Sequence, residues 1–282
     1  MDAYAVSLLS VIGINVILAV SLNMITGFCG QFSLGHAAFF GTGAYATALL
    51  ARSGSPFVLA LVGGAIAAGL LGFLVGFASL RVRDDFLAIT TIGVGFLFLG
   101  FVRKQAWLGG EMGITGIPPT GLTSEGNAVM VLLIAAMSVA LSLYLKRSWL
   151  GFSFLAVADD QDAAQTGGIH VSAYKLAAFA IGTGLAGLAG GLYTYFTLFI
   201  TAEAFNFIVS VTVMAMVVIG GVGSTWGVAA AAVLLTLFPE VFRFINNYRL
   251  IFFGGLLLLV MRFSPGGLAG MVNWMLRKGF GR

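Results

Sequence analysis

The sequence predicts an all-α fold: a polytopic bundle of about 8–10 transmembrane helices, some of them broken or re-entrant. Three observations predict it. Hydrophobic residues make up 60% of the 282 and charged residues only 9%, against roughly 25% charged in a soluble domain. Apolar runs of about 20 residues recur along the chain, the length a helix needs to cross a hydrocarbon core. The runs are continuous rather than alternating, which excludes a porin-like barrel.

Taken in order, nine apolar runs read as spans: 5–27, 32–50, 57–80, 86–102, 128–145, 176–196, 207–220, 228–244 and 250–261. Several are short or interrupted by glycine. No linker or shift of composition separates them, so residues 1–282 are expected to form one transmembrane domain. Met1, Asp2 and Ala3 lack a basic leader, and the first run is long enough to span, so no cleavable signal is expected. The net charge of +4 comes from Lys and Arg at span ends, where they set orientation, and does not indicate nucleic acid. With the polar segment near residue 160 placed in the cytoplasm, nine basic residues lie inside and five outside, the expected bias. The N-terminus is then outside, and residues 103–127 form an outer loop. Its Gly109, Gly110, Gly113, Gly116, Pro118 and Pro119 predict turns rather than helix.

Small residues recur at helical spacing, as in Gly72 with Gly76 and Gly187 with Gly191, pairs that let helix backbones approach closely. Gly182, Gly184 and Gly187 formally match a dinucleotide fingerprint. They lie inside an apolar span with no preceding strand, so helix packing is the reading. The single cysteine, Cys29, excludes an internal disulfide and a cysteine metal cluster.

Three features bear on function. The first is a polar island between apolar spans, about 156–175. Its Asp159, Asp160, Asp162, Ala163, Ala164 and Gly168, followed by Lys175, predict a short exposed helix with a sharp stop. A membrane protein that displays one ordered polar helix usually displays it to another protein. The second is the stretch from Asn23 to Gly43, where Asn23, Gln31, Ser33, Gly35 and His36 sit at or near membrane depth. Non-helical backbone is tolerated there only where protein or a water-filled cavity satisfies it. It is either an element lining a translocation route or a tight turn whose polar side chains bond backbone. Gly220, Gly221 and Gly223 join two later apolar runs and weakly echo it, with Trp226 as an interfacial anchor.

The third feature is an absence. The sequence has no phosphate loop and no Asp, Glu, Lys or Arg near the middle of an expected span, although ion-coupled carriers usually place ionisable groups there. Glu240 and Arg243 read as a structural pair one turn apart. The chain therefore reads as a pathway without an engine, and the island as a place for an engine to dock. A self-sufficient secondary carrier or channel for a small solute is the alternative. Ser33 and His36 share a helix spacing but have no acid nearby, which leaves an intramembrane hydrolase a poor third.

Across nearly its whole length the chain resembles the LivM-type permease subunits of branched-chain amino acid ABC importers. The resemblance is carried by Asn23 and Gly27; Gln31, Ser33, Gly35, His36 and Gly41; Arg81, Arg83, Asp84 and Asp85; Gly113, Gly116 and Pro118. It continues through Asp162 to Gly168, Tyr174 and Lys175, Gly187 to Tyr193, Gly220 to Gly227, Pro239 with Glu240, and Pro265 with Gly267. It implies a second, related permease subunit, two ABC ATPases that use ATP and Mg, and an external substrate-binding protein, in a bacterial inner membrane. This chain would bind no cofactor or metal and catalyse nothing. Asp162, Ala163 and Ala164 through Gly168 match the E-A-A-x-x-x-G coupling pattern, with Asp for the usual Glu. Asp159 and Asp160 depart from the basic-then-acidic run that usually precedes it.

Overall fold

The structure, a computed structural model, describes residues 3–80, 84–241, 254–255, 258, 260, 262 and 266–271. The expected span at 250–261 lies mostly outside these residues, and the partner proposed for Glu240, Arg243, lies wholly outside them.

The described chain is helical almost throughout. In order it forms α1 (Ala3–Asn23), a π-helical turn (Met24–Phe28), α2 (His36–Arg52), α3 (Phe57–Ser79), α4 (Asp84–Lys104), α5 (Ser124–Arg147), α6 (Trp149–Asp159), α7 (Gln161–Thr166), α8 (Val171–Thr197), α9 (Phe207–Gly220) and α10 (Thr225–Val241). Among the described residues, six helical segments are long and apolar enough to cross a membrane. The 17-residue α2 and α10 supply two more of the expected spans. Helix starts follow the sequence chemistry. Thr123, Ser148, Asp160 and Asn206 each cap a helix by accepting from a backbone N–H of its first turn.

Contacts between helix ends define two ends of the bundle. At one end Arg103 pairs with Glu203, and Ile114 pairs antiparallel with Ile200, which ties the loop after α4 to the segment after α8. That loop holds only a three-residue helical turn, Ala106–Leu108. Gly109, Gly110, Gly113 and Gly116 take left-handed backbone there, the turn-rich loop the sequence predicts. At the other end lie the π turn, α6, α7 and the Gly221–Ser224 turn between α9 and α10. Among the described residues, Arg103 and Lys104 close α4 at the first end, and Lys146 and Arg147 close α5 at the second.

The core is a seam of small residues among α2, α3 and α8. A Cβ on Gly64 would lie 2.7 Å from the carbonyl of Gly43, and one on Gly187 would lie 2.8 Å from the carbonyl of Gly64. Gly191 would meet Thr47 and Gly72 would meet Thr183. The glycine pairs read from sequence thus serve helix packing, and Gly182 and Gly187 of the dinucleotide-like run are part of it. α1 is the most enclosed long helix, 67% buried, and α4 the least, 17%. On α3, Val58, Val62, Ile66, Leu70, Phe73 and Phe77 are exposed along one face. Such a stripe is untenable in water and suited to lipid.

Candidate translocation site and docking helix

The stretch that links α1 to α2 departs from α-helix as the sequence requires. The π turn ends α1, left-handed Gly30 (φ 70°) turns the chain, and residues 30–35 run without helix before His36 opens α2. Hydroxyls from neighbouring helices satisfy this backbone. Thr26 Oγ1 donates to the Gln31 carbonyl (3.0 Å), Thr91 Oγ1 on α4 accepts from Leu34 N–H (3.0 Å), and Ser210 Oγ on α9 accepts from Ala37 N–H (2.9 Å). Gly35 packs against the Thr91 backbone, where no side chain fits. Hydroxyl-bearing residues on apolar helices usually bond back to their own carbonyls. Sequence therefore gives no sign that Thr91 and Ser210 hold a loop more than 50 residues away.

Asn23, Gln31, Ser33 and His36 are all at least 97% buried. His36 Nε2 meets Ser21 Oγ at 2.7 Å, and Ser21 donates its proton to the Leu18 carbonyl (2.7 Å). Nε2 is then the donor and Nδ1 a bare acceptor. Ser33 and His36 do not pair, so the hydrolase arrangement is absent among the described residues. Among the described residues, five buried side-chain atoms lack a hydrogen-bond partner: Asn23 Nδ2, Gln31 Oε1, Ser33 Oγ, His36 Nδ1 and Tyr45 OH. Four of the five belong to residues singled out from sequence. An unpaired buried polar group costs about 1–3 kcal/mol, so a cluster on one segment calls for a reason beyond packing.

The two glycine stretches meet. Asn23 Oδ1 accepts from Gly223 N–H at 2.8 Å, and Gly27 leaves only 2.5 Å between a Cβ and Gly223 N. Gly223 is left-handed (φ 81°) and Gly221 has φ 101°, backbone that excludes most side chains. Gly220 packs on the start of α10, with Val228 Cα 2.5 Å from its would-be Cβ. Lys146, at the end of α5, donates to the Gly223 carbonyl at 2.6 Å and lies over the Phe28 ring. Lys146 was legible only as an orienting charge. Trp226 is 67% exposed, as an anchor would be.

At the same end of the bundle, α7 is the short polar helix expected from the island. Asp160 caps it, its Oδ1 accepting from Asp162 N–H (2.9 Å) and Ala163 N–H (3.0 Å). Gly167 and left-handed Gly168 stop it. Asp159, Asp162 and Ala163 are exposed, while Ala164 faces inward. Lys175 is not on the open face. It is 8% exposed and donates to Gln161 Oε1 at 2.8 Å, so it holds α7 to α8. The preceding α6 was not anticipated. It displays Trp149, Phe152 and Leu155 beside α7, the character of an interfacial segment.

Residues 4–261 match the family described as the permease component of the branched-chain amino acid transport system. The chain belongs to this family. It is 35% identical over 295 residues to the high-affinity branched-chain amino acid permease protein LivM of Escherichia coli, covering 94% of this chain and 69% of that protein. The LivM protein of Salmonella typhimurium matches to the same extent. A probable LivM of Methanocaldococcus jannaschii is 24% identical, covering 91% of this chain and 90% of that one. Among solved structures, PsaBC from Streptococcus pneumoniae in complex with Fab superposes with a TM-score of 0.51 at 15% identity, over 94% of this chain and 93% of that one. That likeness concerns the fold alone. The permease is a multi-pass membrane protein of a transport family and not of a catalytic one.

Proposed function

We propose that this permease is the passive route of an ATP-driven importer for a leucine-like amino acid or a related small solute, in a bacterial inner membrane. Its partners are a second, related permease subunit, two ABC ATPases and an external substrate-binding protein. The chain forms one domain, 1–282, with a coupling segment at about 156–175. It binds no cofactor itself, and ATP and Mg act in the ATPases.

The observation that carries this reading is α7: a short helix with a side-chain cap and a glycine stop, which turns Asp162 and Ala163 outward next to the exposed Asp159 at the end of α6. Its links run inward. Lys175 ties it to α8, and α6 ties it to α5, whose Lys146 grips the Gly223 carbonyl that lies against Asn23. Displacement of α7 by an ATPase would thus be passed to the turn that packs on Asn23 and Gly27. The route is lined by Asn23, Gln31, Ser33, Gly35 and His36, with Gly220, Gly221 and Gly223 as the flexible counterpart. The unpaired atoms of this set support a closed arrangement that exchanges with a hydrated, solute-bearing one. Amide, hydroxyl and apolar groups suit a zwitterion already selected by the binding protein.

Replacing Asp162 with Lys tests the docking role. Uptake should fall at least several-fold while the chain stays at wild-type level in the membrane. Normal uptake by that variant would contradict the proposal.

A further inference from the structure

The seam between α1 and α10 carries side-chain hydrogen bonds at three depths. Near the outer end Tyr4 OH donates to Glu240 Oε2 at 2.6 Å, midway Asn15 Nδ2 donates to Thr236 Oγ1 at 2.9 Å, and at the inner end Asn23 Oδ1 accepts from Gly223 N–H at 2.8 Å. From Tyr4 to Asn23 the helix rises roughly 28 Å at 1.5 Å per residue, close to the thickness of a hydrocarbon core, about 30 Å. Polar pairs therefore mark this otherwise apolar seam at three depths, the innermost at the candidate site already described.

Its outer half is an open groove of about 170 Å³. Tyr4, Ser7, Asn15, Thr236, Pro239 and Glu240 line it, with Leu8 and Val11 between them. Tyr4, Ser7, Val11 and Asn15 are spaced to share one face of α1. This face differs in kind from the exposed stripe of α3, which is wholly apolar. The amide of Asn15 and the hydroxyl of Tyr4 are paired across the groove, but Glu240 is exposed and a carboxylate is costly against lipid, so the outer end of the groove faces water or protein. Pro239 interrupts the helical ladder of α10 at the groove, because it has no N–H. The Glu240 carboxylate, oriented by Tyr4 through a short charge-assisted bond, sits at the same level.

We infer that this groove is the outer binding position for the transported solute, and that it takes the ammonium group of a small aliphatic zwitterion. Glu240 accepts from the ammonium, and Leu8 and Val11 receive the aliphatic part. The volume admits a molecule well below the roughly 300–1,000 Å³ of drug-sized sites. This deepens the importer reading and rests on it.

The test uses the intact importer in proteoliposomes with its binding protein, ATP and radiolabelled leucine. Glu240→Gln keeps the shape and removes the charge. Leucine uptake should fall about tenfold or more, the order expected for losing one hydrogen bond to a charged group. In a Cys29→Ser background, Ser7→Cys and Asn15→Cys should react with a membrane-impermeant thiol reagent faster than Leu133→Cys, which is exposed on the surface of α5. Binding protein loaded with leucine should slow both reactions. Labelling no faster than at Leu133 would place the groove against lipid and overturn the inference. Fast labelling that leucine leaves unchanged, with wild-type uptake by Glu240→Gln, would make it a hydrated surface off the route and also overturn it. If the parent importer moved no leucine, the importer reading would fall, while the labelling rates would still decide whether the groove is hydrated.

Discussion

Replacing Ser33 with alanine should make the protein more stable and a worse transporter. Ser33 is 0% exposed, and its hydroxyl has no hydrogen-bond partner. Burying such a group costs about 1–3 kcal/mol, which alanine removes. Alanine lacks one oxygen, and the void is no larger than a methyl group, worth about 1 kcal/mol. The net change is a gain of about 1 kcal/mol, or roughly 2–4 °C in Tm for a chain of this size. Asn23→Ala provides the contrast within the same site. It breaks the bond to Gly223 N–H and opens a larger void, and relief of the unpaired Nδ2 offsets only part of that, so Tm should fall. The assay is thermal unfolding of the purified complex in mild detergent, paired with leucine uptake in proteoliposomes. Uptake should drop in both variants while Tm moves in opposite directions. A lower Tm for Ser33→Ala would mean that the hydroxyl serves packing. Unchanged uptake would mean that it lies off the route.

Two further outcomes follow from the same geometry. Thr91→Val keeps the shape of the side chain but strands Leu34 N–H, which should cost about 1–3 kcal/mol and appear as a lower Tm with faster amide exchange in the 29–36 loop. Asp160→Ala should lose a cap worth about 1 kcal/mol on a helix of only six residues, so ATPase co-purification should weaken. Asp160→Asn, an equally good cap, should leave it near wild type, and equal loss in both variants would assign Asp160 to direct contact instead.

The spans were legible because hydropathy is a local property: each run carries its own membrane signal whatever its neighbours do. The broken stretch was legible for a related reason, since Asn23, Gln31, Ser33, Gly35 and His36 are costly at membrane depth and glycines mark where the helix stops. What sequence did not give is which distant groups satisfy that stretch. Thr91 and Ser210 resemble any other hydroxyl on an apolar helix, and only packing brings them to Leu34 and Ala37. Lys175 read as part of a docking face because it follows the acidic island. Its long stem instead carries the ammonium group back to Gln161. Glu240 meets Tyr4 across the bundle, 236 positions away, a contact that a reading along its own helix does not reach.

The measurement that bears most directly on the central claim is affinity purification from the native host in mild detergent, with mass spectrometry of the proteins that accompany the chain. The account predicts two ATPase subunits and a second permease, with a binding protein joining the complex when its solute is present. A chain that arrives reproducibly alone, and that moves solute in liposomes on an ion gradient without ATP, would contradict it.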